Sequence, residues 1–334
     1  MKVPDSLIEV TFRVGNDINL VQGPGGNISF KQAGRLLIKA SGTKMADVKK
    51  KNIFVEVNLN KIISAMNEND VDPIKNSYKN VENIKPSIET AMHAIMPHKY
   101  VLHVHCVNTL SFIVQKNFEK KLSQLIKNFN WTSIPYIKPG VDLANALREK
   151  IKNEKPDVIF LSNHGLIAGA ETAMDVFNII KSISQKLSFF IVKKYPFNIQ
   201  KLEPFLSCKN YKLPKFDDIH QLALSEKYSS KVLKGTLFPD QAVFLKDGIV
   251  IMNNIEAINN LSKNNETNLP VILIPNVGTL IPKNFREANE DNLLGLCMII
   301  LRIPNTARLN YLTTEEKNDL INWDLEKYRQ KINS

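Results

Sequence analysis

Short runs of apolar residues, separated by glycine, proline and asparagine, follow one another along the first two hundred residues of the chain. Runs that alternate with polar residues or are rich in β-branched side chains predict strands over residues 6–14, 28–31, 35–40, 54–57, 100–106 and 158–161. Apolar side chains spaced three and four residues apart predict helices over residues 59–66, 87–96, 118–129, 140–151 and 171–194. This mixture of strands and helices indicates an α/β fold.

The composition of the chain changes near residues 193–210, where Pro196 and Pro204 interrupt the apolar pattern. We therefore expect two domains. The first comprises residues 1–200, and the second is a smaller α/β domain of residues 201–334, whose role the sequence leaves open.

Two turn and cap signals organise the second domain. Lys246-Asp247-Gly248 predicts the turn of a hairpin between residues 242–245 and 249–252. The capping-box pattern at residues 313–316 predicts the start of a last helix that runs through Tyr328.

The composition is that of a globular protein, with 43% hydrophobic and 23% charged residues among 334. No apolar run reaches the about 18 residues that a membrane-spanning helix needs, and residues 1–10 lack the basic and apolar regions of a secretory signal. The three cysteines are too few and too scattered for a disulfide framework. We therefore expect a cytoplasmic protein with no membrane segment.

The formal net charge is +11, from 44 basic and 33 acidic residues. The lysines are spread along the chain, and aromatic residues are not interleaved with them as a stacking platform for nucleic acid requires. We therefore expect no nucleic-acid partner. The positive charge would favour an anionic small-molecule substrate.

Four of the six histidines fall between residues 93 and 105. His103 and His105 lie two apart in a predicted strand, so their imidazoles project from the same face and are placed to bind one Zn²⁺ at about 2.0–2.1 Å. On this spacing alone, two partly exposed strand histidines explain the pattern equally well. His164 follows a predicted buried strand and precedes a glycine, so a third imidazole at that strand end would complete a three-histidine site.

Glu89 is a candidate catalytic carboxylate. It lies in the first turn of the helix predicted after Ser87, where the helix dipole favours its charged form. An acidic residue at a helix start is common, and a general base beside a metal-bound carbonyl substrate is the functional interpretation. His93, one helical turn further on, suits a supporting or structural role.

Two turns are candidate anion sites. Residues 23–29 are rich in glycine, and consecutive backbone N–H groups in such a turn can form an anion-binding nest. Ser41-Gly42-Thr43 forms a second turn, with Lys39 and Lys44 close by. Together the turns could hold a phosphate, although a hairpin without a ligand is the simpler interpretation of each turn alone.

Five short motifs then occur along the chain: residues 25–29 (GGNIS), 39–42 (KASG), 86–89 (PSIE), 103–105 (HVH) and 163–165 (NHG). In this order they resemble the class II aldolase/adducin family, which contains zinc-dependent sugar-phosphate aldolases, over residues 8–195. Residues 237–241 and 322–328 resemble the segment that follows the aldolase part of rhamnulose-phosphate aldolase/dehydrogenase proteins. A dehydrogenase activity is not supported, because the chain has no nucleotide-binding glycine motif.

The resemblance implies a three-layer α/β/α fold with a mainly antiparallel central sheet, usually assembled as a homotetramer with sites at the subunit interfaces. It implies one Zn²⁺ per subunit, with ligands that match His103, His105 and His164. It implies that Glu89 is the catalytic acid/base. The residues that match its phosphate-binding turns are Gly26, Asn27, Ser41, Gly42 and, in addition, Ser87. Tyr136 is similar to a loop residue that donates a proton in some members and reaches a neighbouring subunit.

The function that the resemblance implies is cleavage of a ketose 1-phosphate to dihydroxyacetone phosphate and an aldehyde through a metal-stabilised enediolate. A sugar-phosphate epimerase or a dehydratase would use the same metal site. A non-catalytic adducin-like interaction module is the alternative from another class of protein. The presence of all three histidines and of Glu89 favours an enzyme.

Overall fold

Two sheets organise the computed structural model of the chain. The structure describes residues 1–79, 84–152, 154–188, 192–246, 248–264 and 268–332. The first sheet contains β1 (Asn27–Gln32), β2 (Arg35–Lys39), β3 (Phe54–Asn58), β4 (Tyr100–Val104), β5 (Trp131–Ile134), β6 (Val158–Leu161) and β7 (Gly165–Ala170). The helices along the same part of the chain are α1 (Asp5–Gly15), α2 (Leu59–Asn67), α3 (Thr90–Ile95), α4 (Val107–Ile113), α5 (Glu119–Leu125), α6 (Val141–Ile151) and α7 (Ala173–Lys186).

The strand order of the first sheet is β3-β2-β1-β4-β7-β6-β5. Every neighbouring pair is antiparallel except β5 and β6, which are parallel. Helices α1, α4 and α7 bury their apolar side chains against one face of this sheet, and α2, α3 and α6 against the other. The predicted three-layer α/β/α fold with a mainly antiparallel central sheet is therefore confirmed.

The first predicted strand was wrong, because residues 6–14 lie in helix α1. Leu7, Val10 and Val14 are spaced three and four residues apart, and all three are fully buried on the face of α1 that meets the sheet. The helical spacing of the apolar residues therefore determines the structure of this segment, and the alternation of apolar and polar residues, which suggested a strand, does not.

The second sheet contains β8 (Tyr211–Lys212), β9 (Ile249–Ile251), β10 (Val271–Ile274) and β11 (Gly278–Pro282), in the order β8-β11-β10-β9. The helices of this region are α8 (Glu226–Leu233), α9 (Pro239–Phe244), α10 (Ile255–Asn264), α11 (Glu287–Arg302), α12 (Thr314–Asn322) and α13 (Asp324–Ile332). Among the described residues, no helix combines the length and the apolar character needed to cross a bilayer.

The predicted hairpin around Lys246-Asp247-Gly248 was wrong. Residues 242–244 end helix α9, and β9 pairs in parallel with β10 rather than with the residues before it. Pro239 at the start of α9 explains the helix, because proline fits the first turn of a helix, where its missing N–H is not needed. Asp247 itself lies outside the described residues.

The last predicted helix begins as expected but does not run through residue 328. The capping box of Thr313 and Glu316 starts α12, and the chain then breaks at Trp323, whose backbone is extended (φ −70°, ψ 125°). The Trp323 indole packs on Gly140, where a Cβ would lie 3.0 Å from the ring, and Lys138 lies over its face at 5.0 Å. Helix α13 begins directly after this break, at Asp324, and its last residue, Ile332, packs on Gly42.

One apolar cluster joins the two parts of the chain. It contains Leu7 and Leu166 from the first two hundred residues together with Leu237, Leu293 and Ile300 from the remainder. A bridge between Gln115 and Leu309 adds backbone pairing across the same junction. The division into domains at residue 200 stays a proposal, since the core is continuous across it.

Asn163 forms the turn between β6 and β7 and connects it to the second part of the chain. Its backbone is left-handed (φ 55°), a conformation that asparagine tolerates better than most residues. Its buried side-chain amide donates to Leu237 O at 2.8 Å and to Asn310 O at 2.7 Å. The turn packs so closely on β4 that only glycine fits at residue 165, because a Cβ there would lie 2.6 Å from Val104 O.

We expect Asn163→Gly to lower the free energy of unfolding. Glycine keeps the left-handed backbone, but the carbonyls of Leu237 and Asn310 lose a buried donor, at about 1–3 kcal/mol each. Chemical denaturation measures the change. Asn276→Gly is the matched control, because Asn276 is also left-handed (φ 59°) but exposed, and we expect a change within about 0.5 kcal/mol. Equal effects of the two substitutions would contradict this account of the turn.

Candidate metal centre

Strand β4 places the first two histidines. His103 lies within β4, where it pairs with Asn27 of β1 on one side and with Ile167 of β7 on the other. His105 lies just after the strand end and on the same side of the chain, as the spacing of two residues predicts. His164 comes from the turn between β6 and β7, which packs on β4. The sheet therefore brings together all three histidines that the sequence singled out.

The three imidazoles converge on one point. The Nε2 atoms of His103 and His105 are 3.2 Å apart, and one ring nitrogen from each of the three histidines lies within 4.8 Å of the other two. Two nitrogens bound tetrahedrally at about 2.0–2.1 Å would lie roughly 3.3 Å apart. All three rings are buried, with exposed fractions of 0%, 6% and 5% for His103, His105 and His164.

The protonation of two of the rings fits a cation. His103 Nδ1 donates to Leu166 O at 3.1 Å, and His105 Nδ1 donates to a carboxylate oxygen of Asp240 at 2.9 Å. With a proton on each Nδ1, the two Nε2 atoms are the ring nitrogens left to bind an ion, and they face each other. Burial lowers the pKa of His103 well below its ordinary value, which favours the neutral ring that a metal ion binds. The donor set therefore fits a divalent metal ion.

Glu89 faces the same point. Its carboxylate oxygens lie 3.5 Å from His103 Nε2 and 3.2 Å from His164 Nε2, and Oε1 has no hydrogen-bond partner among the described residues. Burial raises the pKa of Glu89, but His103 and His164 lower it more, so the pKa lies well below its ordinary value of 4.5. The carboxylate is therefore ionised at neutral pH.

A buried hydrogen-bond chain holds Glu89 in place. Asn27 Nδ2 donates to Glu89 Oε2 at 2.7 Å and to Ser87 Oγ at 3.2 Å, and Ser87 Oγ also accepts from the Glu89 amide. His93 hydrogen-bonds Asn27 Oδ1 and Ser29 Oγ. Ser87 thus caps a turn that precedes α3. The helix itself begins at Thr90 with Glu89 as its N-cap, two residues later than a cap at Ser87 predicts.

The two turns proposed for phosphate lie at the mouth of this site. Gly26 is left-handed (φ 65°), and a Cβ there would lie 2.9 Å from His103 O, so glycine is needed at this position. Lys39 links the turns, because its buried ammonium donates to Pro24 O at 3.1 Å and to Thr43 O at 2.6 Å. Burial lowers the pKa of Lys39 to about 7. The Ser41 amide donates to Lys85 O, so its backbone N–H is already in use.

Three buried charged residues from the second part of the chain enter the site and were missed at the sequence level. Asp240 of α9 accepts from His105 and from Arg329, and Glu326 of α13 also contacts Arg329. The exposed fractions of Asp240, Glu326 and Arg329 are 2%, 1% and 8%. The motif at residues 237–241 was the only signal for Asp240, and nothing in the sequence distinguishes Arg329 from the other basic residues of its helix.

Helix α13 covers the site. The cavity that Gly26, Glu89 and His164 line also has Asp240 and Arg329 in its wall, and its volume is about 30 Å³. Ile332 lies over Gly42, where a Cβ would be 3.1 Å from the isoleucine side chain. The turn at Ser41 and Gly42 is thus closed by the end of the helix.

Tyr136 is the predicted residue that the structure does not bring to this cavity. It packs beside Ala242, Leu312 and Leu320, and its buried hydroxyl has no hydrogen-bond partner among the described residues. Burial, with Glu316 and Asp319 nearby, raises its pKa above the ordinary value. Its role as a proton donor stays a prediction.

The fold and the site define a class of protein. Residues 7–187 match the family described as Class II Aldolase and Adducin N-terminal domain, and the chain belongs to this family. The match includes all three histidines and Glu89 and ends before Asp240 and Arg329.

Among known proteins, the chain is similar to the uncharacterized oxidoreductase YuxG of Bacillus subtilis (strain 168), with 27% identity over 209 residues. The alignment covers 57% of this chain and 30% of that protein, so the chain spans less than a third of that relative's length.

Two solved structures are also similar to the chain. The N-terminal class II aldolase domain of a conserved protein from Thermoplasma acidophilum is 26% identical, with a TM-score of 0.48, over 56% of this chain and 94% of that one. A sugar-phosphate aldolase from Thermotoga maritima is 18% identical, with a TM-score of 0.44, over 55% of this chain and 92% of that one.

Proposed function

We propose that the chain is a zinc-dependent aldolase that cleaves a ketose 1-phosphate to dihydroxyacetone phosphate and an aldehyde. The observation that carries this proposal is the convergence of three buried imidazoles beside an ionised, partly unsatisfied carboxylate. Membership of the class II aldolase and adducin family supports the same class of chemistry. A buried cluster of this kind is costly to fold unless it binds a cation, which argues against a purely structural role.

His103, His105 and His164 would hold the ion. Three neutral imidazoles leave its double positive charge uncompensated. When bound, a divalent ion acts as a Lewis acid that lowers the cost of the enediolate negative charge. Zn²⁺ suits three nitrogen ligands with a fourth position left open for substrate.

Glu89 would move the proton on the carbon beside the carbonyl. In the cleavage direction the substrate C4 hydroxyl passes its proton to solvent water as the C3–C4 bond breaks, and the bonding electron pair passes into the enediolate. The Glu89 carboxylate takes up a proton from solvent and delivers it to the enediolate carbon. In condensation the ionised carboxylate removes that same proton, so a pKa below neutral suits the residue to this step.

The two turns would orient the substrate through its phosphate. Gly26 and Asn27 lie at one side of the site and Ser41 and Gly42 at the other, with Ser87 between Asn27 and Glu89. Since the Ser41 amide is already bonded, its hydroxyl is the group that we assign to the phosphate. Fixing the phosphate converts binding energy into orientation of the reacting carbons.

Substrate entry requires movement of α13. A cavity of about 30 Å³ is far below the roughly 300–1,000 Å³ of typical small-molecule sites. The contacts of α13 with the Ser41–Gly42 turn lie at its C-terminal end, where Ile332 packs on Gly42. We propose that this end moves away when phosphate binds.

Assembly as a homotetramer is part of the proposal. Tyr136 does not line the cavity of its own chain, and its hydroxyl is buried there, so a role as the acid for the aldehyde oxygen would require a neighbouring subunit's site and a side-chain movement that exposes the hydroxyl. Such a site would be complete only in the oligomer.

We expect the purified chain to bind about one Zn²⁺, and His164→Ala to lose it, because a third ligand is needed for a stable site. Metal content after dialysis, measured by elemental analysis, checks this. His98→Ala is the control, since His98 pairs with Asp157 at 3.0 Å outside the site. Absence of bound metal in the wild-type chain would overturn the proposed function.

Glu89→Gln should lower the cleavage rate by about 10²–10⁴-fold while metal content is unchanged, because the amide cannot transfer the proton. Release of dihydroxyacetone phosphate from a panel of ketose 1-phosphates measures the rate. An epimerase or a dehydratase would consume a substrate without this product. Full activity in the variant would remove Glu89 from the reaction.

Inorganic phosphate should increase hydrogen exchange in residues 324–332 and decrease it in residues 39–43, if α13 leaves the turn that the anion enters. Mass spectrometry of the exchanged peptides measures both segments, and residues 100–104 of buried β4 serve as the internal control. Protection of both segments by phosphate would show that α13 stays closed on the bound anion.

A further inference from the structure

We infer that Asp240 is a positioning residue for the metal ligand His105, so that the second part of the chain sets the metal affinity of the site. This inference rests on the proposed function, since it requires that the three histidines bind an ion. Asp240 lies outside the segment that matches the family, 53 residues after its end at residue 187. The residues that define the family therefore do not include Asp240.

The contact between Asp240 and His105 has the geometry of a ligand support. Asp240 Oδ2 lies 2.9 Å from His105 Nδ1, and His105 Nε2 points to the convergence of the triad, 3.2 Å from His103 Nε2. A carboxylate that accepts from Nδ1 fixes the tautomer that leaves Nε2 free to bind the ion, and it fixes the plane of the ring. His103 receives the equivalent support from a backbone carbonyl, that of Leu166.

Gly25 leaves room for this contact. A Cβ at residue 25 would lie 3.0 Å from His105 Nδ1 and 3.1 Å from Asp240 Oδ2. The first glycine of the GGNIS motif therefore packs directly on the hydrogen bond between α9 and the triad. Glycine at residue 25, within the segment that matches the family, is thus required by a contact with Asp240, which lies beyond that segment.

Helix α13 holds the carboxylate in place. Arg329 donates from Nη1 to Asp240 Oδ1 at 2.7 Å and from Nη2 to Asp240 Oδ2 at 3.1 Å, which is a bidentate pair. Glu326 accepts from Arg329 Nη1 at 3.3 Å through each of its oxygens. A carboxylate that is 2% exposed needs such a partner, because an unpaired buried charge is strongly destabilising.

The same contacts also link α9 to α13, so a purely structural salt bridge is the competing explanation. The two explanations differ in what they predict for metal binding. A support for His105 changes the affinity of the folded protein for the ion, whereas a structural salt bridge changes only the stability. Loss of a residue that supports a metal ligand typically weakens affinity by about 10–100-fold.

The test compares Asp240→Asn with the wild-type chain. Zinc affinity is measured on metal-stripped full-length protein by competition with a chromophoric chelator, and the melting temperature is measured in excess EDTA. We expect Asp240→Asn to weaken zinc binding by about 10–100-fold, since the neutral amide is a poorer acceptor for the His105 N–H. Zinc affinity within twofold of the wild type would overturn the inference.

Glu290→Gln is the matched control. Glu290 is another buried carboxylate of the same region, 7% exposed, which pairs with Lys212 at 2.8 Å and accepts from the Lys215 amide, with no contact to the triad. We expect it to lower the melting temperature and to leave zinc affinity unchanged. An equal loss of zinc affinity in both variants would assign the effect to general destabilisation and overturn the inference.

Arg329→Lys distinguishes the effect of the Asp240 carboxylate on zinc affinity from the effect of helix α13, which holds that carboxylate through Arg329. Lysine keeps the charge but makes only one of the two contacts, so we expect zinc affinity between those of the wild type and Asp240→Asn. A larger loss than in Asp240→Asn would assign the effect to α13 itself and contradict the role given to Asp240. If the wild-type chain binds no zinc, the proposed function is wrong. If it binds zinc but Asp240→Asn does not weaken the binding, only the inference about Asp240 is wrong.

Discussion

The candidate site depends on two buried imidazole nitrogens, the Nε2 atoms of His103 and His105, that face each other at 3.2 Å. The register of β4 with β1 and β7 fixes His103, and the hydrogen bonds at the two Nδ1 atoms fix which nitrogen faces inward. Such a pair favours a bound cation, because two nitrogen lone pairs at this distance repel each other. The polar groups around the histidines hold this geometry in place: Asp240 hydrogen-bonds His105, and Asn27 hydrogen-bonds the Glu89 carboxylate beside them.

The central sheet and the three histidines could be predicted because their signals are local. A spacing of two residues in a strand defines a common face, and Asn163-His164-Gly165 carries its own turn chemistry. Helix α1 was missed because a short segment can satisfy alternation and helical spacing together, and only the neighbouring sheet decides between them. The break at Trp323 was also missed, and the Trp323 ring packs on Gly140, a contact with a residue far away in sequence that the local pattern does not reveal.

The charged residues of the site that come from the second part of the chain could not be predicted from spacing. Asp240 and Arg329 are 89 residues apart and meet only because α9 and α13 pack against each other. An aspartate after a proline and an arginine in a charged helix are ordinary features of surface sequences. Their burial, which makes them informative, is a property of the tertiary structure alone.

The continuous apolar cluster that joins Leu166 to Leu237 and Leu293 has a consequence for how such a chain can change. A fragment that stopped near residue 187 would expose to water the apolar surface that α11 now covers. It would also lack the carbonyls of Leu237 and Asn310, which accept hydrogen bonds from Asn163. Recombination that replaced the later region would have to supply a new apolar face as well as a carboxylate for His105. Substitutions at these contacts in one region are therefore energetically coupled to the residues that they meet in the other.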